Sequence, residues 1–331
     1  MPPWWVRRLL LAPAVVVLSV VLVVTAPLWL LVALLLAPVV PGRLRPVRVL
    51  WIGFVYLLIE AAALITMVVY WVASGFGWKL PSPAFQRAHY RLTGRLLRLL
   101  FWQGRWALRT RIVIEGYDPD ALGADRPLIV LCRHAGPGDS FIVAHALINW
   151  YSREPRIVLK DTLQWDPAVD VLLHRLPSRF IAPGHGEEAE RQVAALAAGL
   201  DANDALVIFP EGGNFTPERW HRAIDRLRRM GLEGMARRAE AMTHVLAPRP
   251  GGVLAALDVA RDADVVLVAH TGLDHLLTVG DVWREIPTDK TITMRWWREP
   301  VGALPAGRQG RIEWLYDWWA RIDEWIERNR P

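Results

Sequence analysis

The chain has 331 residues, enough for one large domain or two smaller ones, with 53% hydrophobic residues and a formal net charge of +6. Its mean hydropathy of +0.20 is high for a soluble globular chain, and most of the excess lies in the first quarter. The one cysteine, Cys132, excludes an intramolecular disulfide and any multi-cysteine metal site, and core filling is its expected role.

Leu9 to Val40 is almost continuously apolar and carries no charge. As a helix it would extend roughly 48 Å, against a hydrocarbon core of about 30 Å. Pro27 sits near its middle, which fits either one tilted, kinked helix or a shallow helical hairpin. A second run, Val47 to Ala73, is interrupted by Arg48 at its edge and by Glu60. Both runs are too long for a cleaved signal peptide, and no small-residue cleavage site follows the first. Glu60 is read as a carboxylate facing the first helix; the alternative is a polar site at membrane depth.

Arg7 and Arg8 precede the first run, Arg43, Arg45 and Arg48 separate the two, and Lys79 to Arg111 carries eight basic residues and no acid. Because cations are retained on the cytoplasmic side, two spans with both ends inside fit best. A hairpin in the first run would send the basic segment outward. Residues 1–78 are therefore expected to be a membrane anchor.

Ala84 to Thr110 reads as a helix with Arg87, Arg91, Arg95, Arg98, Arg105 and Arg109 in one stripe. Phe85, Leu92, Leu96, Leu99, Leu100 and Trp106 occupy much of the opposite side. Residues 79–110 would thus form a basic amphipathic helix on the membrane surface, its arginines reaching anionic lipid phosphates. The alternative is a cytosolic helix packed on the domain with a solvated basic face. A nucleic-acid partner is set aside because two membrane runs adjoin the stripe.

From residue 111 to 331 short β-branched runs alternate with helical stretches, which predicts an α/β domain with a mostly parallel sheet flanked by helices. The strand candidates are Arg111 to Glu115, Leu128 to Cys132, Arg156 to Lys160, Arg179 to Ala182, Leu206 to Phe209, Val265 to His270 and Thr291 to Trp297. The helix candidates are Ser140 to Tyr151, Pro167 to Leu176, Glu187 to Gly199, Arg219 to Met230 and Arg311 to Arg328. No internal repeat or low-complexity linker is present. Trp314, Leu315, Trp318, Ile322, Trp325 and Ile326 form a helical stripe whose default is core packing, with interfacial anchoring as the sharper alternative.

Arg133-His134-Ala135-Gly136-Pro137-Gly138-Asp139 follows the second strand candidate, and Phe209-Pro210-Glu211-Gly212 follows the fifth. A histidine and an aspartate with four residues between them can act as a base and its orienting carboxylate, taking a proton from an alcohol without a serine or cysteine nucleophile. Taken alone, Asp139 also looks like a helix N-cap, and Glu211 like a loop residue or a charge at a helix N-terminus. His145, His174, His185, His221, His244, His270 and His275 share no metal-ligand spacing.

Together these residues resemble the glycerolipid acyltransferases of the lysophosphatidate acyltransferase type, whose first motif is His-x4-Asp and whose third is Phe-Pro-Glu-Gly. Leu159-Lys160-Asp161-Thr162-Leu163 followed by Pro167 is similar to the family's Lys-x-x-Leu block, and Arg179-Phe180-Ile181 stands where its second motif should be. Val245 to Gly252 followed by Thr291 to Val301 is similar to the animal and plant lysophospholipid acyltransferase branch. The resemblance covers roughly residues 90 to 330.

It implies that His134 deprotonates a lysolipid hydroxyl, that Asp139 holds the imidazole, and that the Ala135 to Gly138 loop offers oxyanion donors except at Pro137. Glu211 and Gly212 would shape the acceptor site or support the histidine loop. Two family arginines that bind the acceptor phosphate are replaced here by Pro183 and Asn214, which cannot supply a bidentate charged contact. Arg133, Arg179, Arg249 and Lys160 are the candidate substitutes.

The expected function is transfer of a fatty acyl group from acyl-CoA, or an acyl carrier protein, to a lysophospholipid, foremost 1-acylglycerol 3-phosphate, giving phosphatidate. No metal or other cofactor is implied, and the catalytic domain would face the cytoplasm. The alternatives are the same chemistry on another lysolipid or glycolipid hydroxyl, a thioester hydrolase, or a silent membrane-binding protein that keeps the motifs as structure.

Overall fold

A computed structural model describes the whole chain except residues 117, 119, 121–124, 137, 182–185, 273–282, 288 and 331. Pro137, Ala182, Pro183, His185 and His275 therefore lie outside the described residues. Two compact units are present: Met1–Arg111 with Leu159–Pro183 and Val279–Lys290, and Ile112–Val158 with Gly184–Thr278 and Thr291–Pro331.

The first unit begins with helix α1 (Trp4–Leu36), which includes one π-helical turn at Arg7–Leu11. It runs uninterrupted through Pro27, so the hairpin alternative fails. Its surface is apolar nearly all round, and Leu18, Val21, Val24, Leu28, Leu31 and Leu35 are exposed. Helix α2 is Arg45–Ala73; the two are long and apolar enough to cross a membrane by length and composition, which suggests membrane association. They touch through small and flexible residues, with Ala12, Ala63, Leu64, Met67 and Leu92 in one cluster, while Ser19 Oγ lies 2.9 Å from the Leu57 carbonyl.

Helix α3 (Pro83–Ala107) ends before Thr110, leaving Arg109 beyond it in the left-handed region, φ 58°, where it pairs with Asp289 at 2.7 Å. Arg87, Arg91, Arg95, Arg98 and Arg105 remain on the helix, exposed and without an ion pair among the described residues. Leu92 and Leu97 are buried, whereas Leu99, Trp102 and Trp106 are exposed.

Glu60 corrects its sequence reading. It accepts the Ala168 N–H at 3.2 Å, at the start of the segment 167–173, instead of turning to the first helix. The same short helix receives Arg7 and Arg8 on Asp170, each at 3.1 Å, and Tyr56 on Asp166. Arg7 and Arg8 near the start of α1 and Glu60 within α2 are thus paired to 167–173 by hydrogen-bonded contacts, which offset their desolvation.

The seven strands are β1 (Arg111–Glu115), β2 (Leu128–Cys132), β3 (Glu154–Lys160), β4 (Ser178–Ile181), β5 (Asp204–Ile208), β6 (Asp264–Thr271) and β7 (Thr291–Glu299). They form one sheet in the order β1-β7-β6-β2-β5-β3-β4. β2 runs parallel to both β5 and β6, and β3 runs parallel to β5; β7 is antiparallel to β6. Unbroken burial along β2, β5 and β6 matches their continuous Val, Ile and Leu content, as expected for strands covered on both faces.

The helices of the second unit are α4 (Asp139–Asn149), α6 (Gly186–Ala197), α7 (Pro217–Arg229), α8 (Glu233–Ala241), α9 (Pro250–Val259) and α10 (Arg308–Asn329), and α5 (Pro167–Leu173) belongs to the first. α8 and α9 are not among the sequence-predicted helices. α9 is short and apolar nearly all round, so it lacks the one-sided periodicity that marks an amphipathic helix. On α10, Leu315, Trp318, Ile322, Trp325 and Ile326 of the predicted stripe are buried in the main core of the second unit, Trp314 packs against it partly buried, and Trp319, outside the stripe, is buried with them. Interfacial anchoring by this stripe is thereby overturned.

Candidate active site

Parallel strands deliver their carboxyl ends to one edge of a sheet, and ligands in such folds bind there. β2, at the centre, ends in Arg133 and His134; its neighbour β5 leads into Phe209 to Glu211; its other neighbour β6 carries His270. Three strand ends in parallel register therefore meet at His134. The Arg133 N–H continues that register with a 3.1 Å bond to the Val268 carbonyl.

His134 Nδ1 lies 3.0 Å from Asp139 Oδ2, and the same oxygen accepts the Gly136 N–H at 2.7 Å. The helix α4 cap is Gly138, with Asp139 as first helical residue, so Asp139 is turned back onto the histidine loop and does not cap. A carboxylate at Nδ1 places the proton there and leaves Nε2 as the basic atom. The Asp139 side chain is fully buried, while the His134 side chain keeps 13% exposure.

Burial alone would raise the Asp139 carboxyl, but the charge of His270, the His134 hydrogen bond and the Gly136 N–H together hold it below its ordinary range. His270 is a site residue that sequence reasoning missed. Its Nε2 is 3.5 Å from Asp139 Oδ1 and 3.3 Å from the Arg133 carbonyl. Only the pairing of β6 with β2 brings it there, and no local spacing in the sequence announces that pairing.

Glu211 is buried, with its two oxygens turned to backbone: one accepts the His134 N–H at 2.9 Å and the other the Leu246 N–H at 2.9 Å. Burial pushes its carboxyl up to about 7, against the lowering effect of the Leu246 N–H, the Arg133 guanidinium and the His134 N–H. The Phe215 N–H bonds the His134 carbonyl at 3.0 Å, and the Phe209 ring lies 4.7 Å from the imidazole between centroids. The loop from Phe209 to Phe215 thus holds the histidine by three contacts.

Arg133 is 2% exposed, and its guanidinium donates to the His270 carbonyl at 2.7 Å and the His244 carbonyl at 3.0 Å. This corrects its reading as a substitute phosphate ligand: it ties strand ends together. Lys160 and Arg179 are exposed residues of the first unit, and Arg179 donates to the Ser178 carbonyl. Arg249 stands beside the site, exposed, with its guanidinium over Gly212. The Gly136 N–H is engaged by Asp139, which removes it from the expected oxyanion donors.

Residues 113–268 match the family model for Acyltransferase, a span that holds both motifs and the three central strands. Over that span the chain is similar to acyltransferases. No curated protein matches the chain. A solved structure similar to it is the 1-acyl-sn-glycerophosphate (LPA) acyltransferase PlsC from Thermotoga maritima, at 15% identity and a TM-score of 0.45, covering 80% of this chain and 95% of that one. Asp139 takes His134 at 3.0 Å on one oxygen and His270 at 3.5 Å on the other, and of the two histidines only His134 keeps side-chain exposure. Groups of three or more His, Cys, Asp or Glu side chains able to hold a metal are not found among the described residues.

Proposed function

We propose that the chain is a membrane-anchored O-acyltransferase that moves a fatty acyl group from acyl-CoA, or an acyl carrier protein, to a lysophospholipid hydroxyl, foremost that of 1-acylglycerol 3-phosphate. The observation that carries this reading is the His134 imidazole, held at Nδ1 by an ionised, buried carboxylate and left partly open on its other side. Nε2 takes the hydroxyl proton as the oxygen attacks the thioester carbonyl. The tetrahedral intermediate collapses with cleavage of the C–S bond, and the imidazolium returns its proton to the departing thiolate. The reaction needs no cofactor and no covalent enzyme intermediate.

Anchor and surface helix fit the same reading. α1 and α2 supply the spans, and the five unpaired arginines of α3 suit a leaflet of anionic lipids. The excess of basic residues at the chain start and after α2 supports a catalytic domain on the cytoplasmic side.

A second reading, the same chemistry on another lysolipid or glycolipid, is favoured by Asn214, which stands where the resemblance implies a phosphate arginine and whose carbonyl is taken by Arg219 at 3.1 Å. The test is mass spectrometry of products from the purified full chain with acyl-CoA and a mixed lysolipid pool. Acylated lysophosphatidate supports the first reading, and another acylated lipid with lysophosphatidate inert establishes the second. Free fatty acid alone contradicts both.

A further inference from the structure

The loop Phe209 to Phe215 is fixed to His134 by the Phe209 ring, by the Glu211 carboxylate and by the Phe215 N–H. In the middle of that loop Gly212 and Gly213 present bare backbone, and a guanidinium lies over each. A Cβ on Gly212 would come within 3.1 Å of Arg249 Cζ and Nη1; one on Gly213 would come within 3.1 Å of Arg219 Nη1. Gly212 also has φ +69°, a conformation that disfavours any side chain.

Arg219, on the first turn of α7, bonds the Asn214 carbonyl at 3.1 Å and forms no ion pair among the described residues. Arg249 forms none either, and Arg226 adds a third exposed cation. Desolvation, and then the like charge of Arg226, lowers the Arg249 guanidinium from its ordinary range. The nearest acid in the loop, Glu211, is buried and turned away to two N–H groups. Cations without an ion-pair partner among the described residues repel one another, and a polyanion with oxygens spaced for guanidinium forks relieves that repulsion.

We propose that Arg219 and Arg249 form an anion receptor for a phosphate group beside His134, taking over the role that Pro183 and Asn214 cannot perform. The proposal rests on the acyl-transfer reading and names what that site grips. A phosphate can come from the acceptor headgroup or from the nucleotide end of an acyl-CoA donor. Both share the chemistry of a phosphate ester.

The experiment uses the solubilised full chain carrying His134→Ala, so that no turnover occurs, and calorimetric titration with two pairs of ligands. Lysophosphatidate is compared with monoacylglycerol, and coenzyme A with pantetheine. Adding Arg219→Gln and Arg249→Gln is expected to weaken binding of the phosphate-bearing member of one pair by tenfold or more, leaving its phosphate-free partner unchanged; the pair that responds identifies the source. Arg219→Lys with Arg249→Lys should restore only part of the loss, because charge is kept while the fork geometry is not. Equal binding of both phosphate ligands with and without the glutamines overturns the proposal, as does loss across all four ligands or no phosphate binding by the parent. Turnover that persists in His134→Ala defeats the acyl-transfer reading whatever the titrations show.

Discussion

At the scale of single residues, the site depends on one carboxylate being charged and another being bridged. Asp139 accepts from an imidazole and a backbone N–H, with His270 at its second oxygen. Asp139→Asn keeps its shape but sets an amide against the Nδ1 proton, and the expected result is a fall in kcat of about 10² to 10⁴-fold, the usual worth of an oriented general base. Initial rates on a variant with unchanged circular dichroism check it. Glu211 has the opposite character. Its carboxyl is raised to about 7 in the fold from an ordinary value near 4.5, so the folded state holds the proton more tightly than the unfolded chain. Stability from this group is full below the unfolded value and is lost as pH rises toward about 7. Glu211→Gln should therefore flatten the fall in Tm across that window, measured by thermal denaturation of both proteins at a series of pH values.

At the scale of elements, what the sequence makes legible depends on whether the signal is local. The long apolar runs, the parallel strands and the histidine-to-aspartate spacing are local, and each has its counterpart in α1, α2, β2 and the His134–Asp139 contact. Boundaries move by a few residues, as at β3, which begins at Glu154, because pairing with Asp204 and Ala205 extends it beyond the β-branched residues. Signals that depend on which strands are neighbours are silent in the chain: His270 reaches Asp139, and Arg133 loses its expected ligand role, only through the β6-β2 pairing. The C-terminal tryptophans divide the same way. Spacing gives the stripe, and only packing decides that Trp319, 0% exposed, fills the core. Trp319→Ala should lower stability by about 3–5 kcal/mol, the usual penalty for deleting a buried aromatic side chain. Denaturant unfolding measured by the remaining tryptophan fluorescence would show it as a lower midpoint, and an unchanged midpoint would remove α10 from the core account.

At the scale of the whole molecule the chain folds as two compact units. One presents two long apolar helices and unpaired arginines on α3, suited to a bilayer and its anionic headgroups. The other presents a base at the meeting of three parallel strand ends. On the proposed reading, a membrane anchor brings the site to a lipid alcohol, which is scarce in bulk water, and one histidine acting as general base begins the transfer. The measurement that bears most directly on this account is acyl-transfer rate from acyl-CoA to a mixed lysolipid pool, comparing the unaltered full chain with His134→Ala at equal folded concentration. A fall of at least about 10²-fold in acylated lipid for the variant is predicted, given what a general base contributes. Equal rates in the two proteins would contradict it.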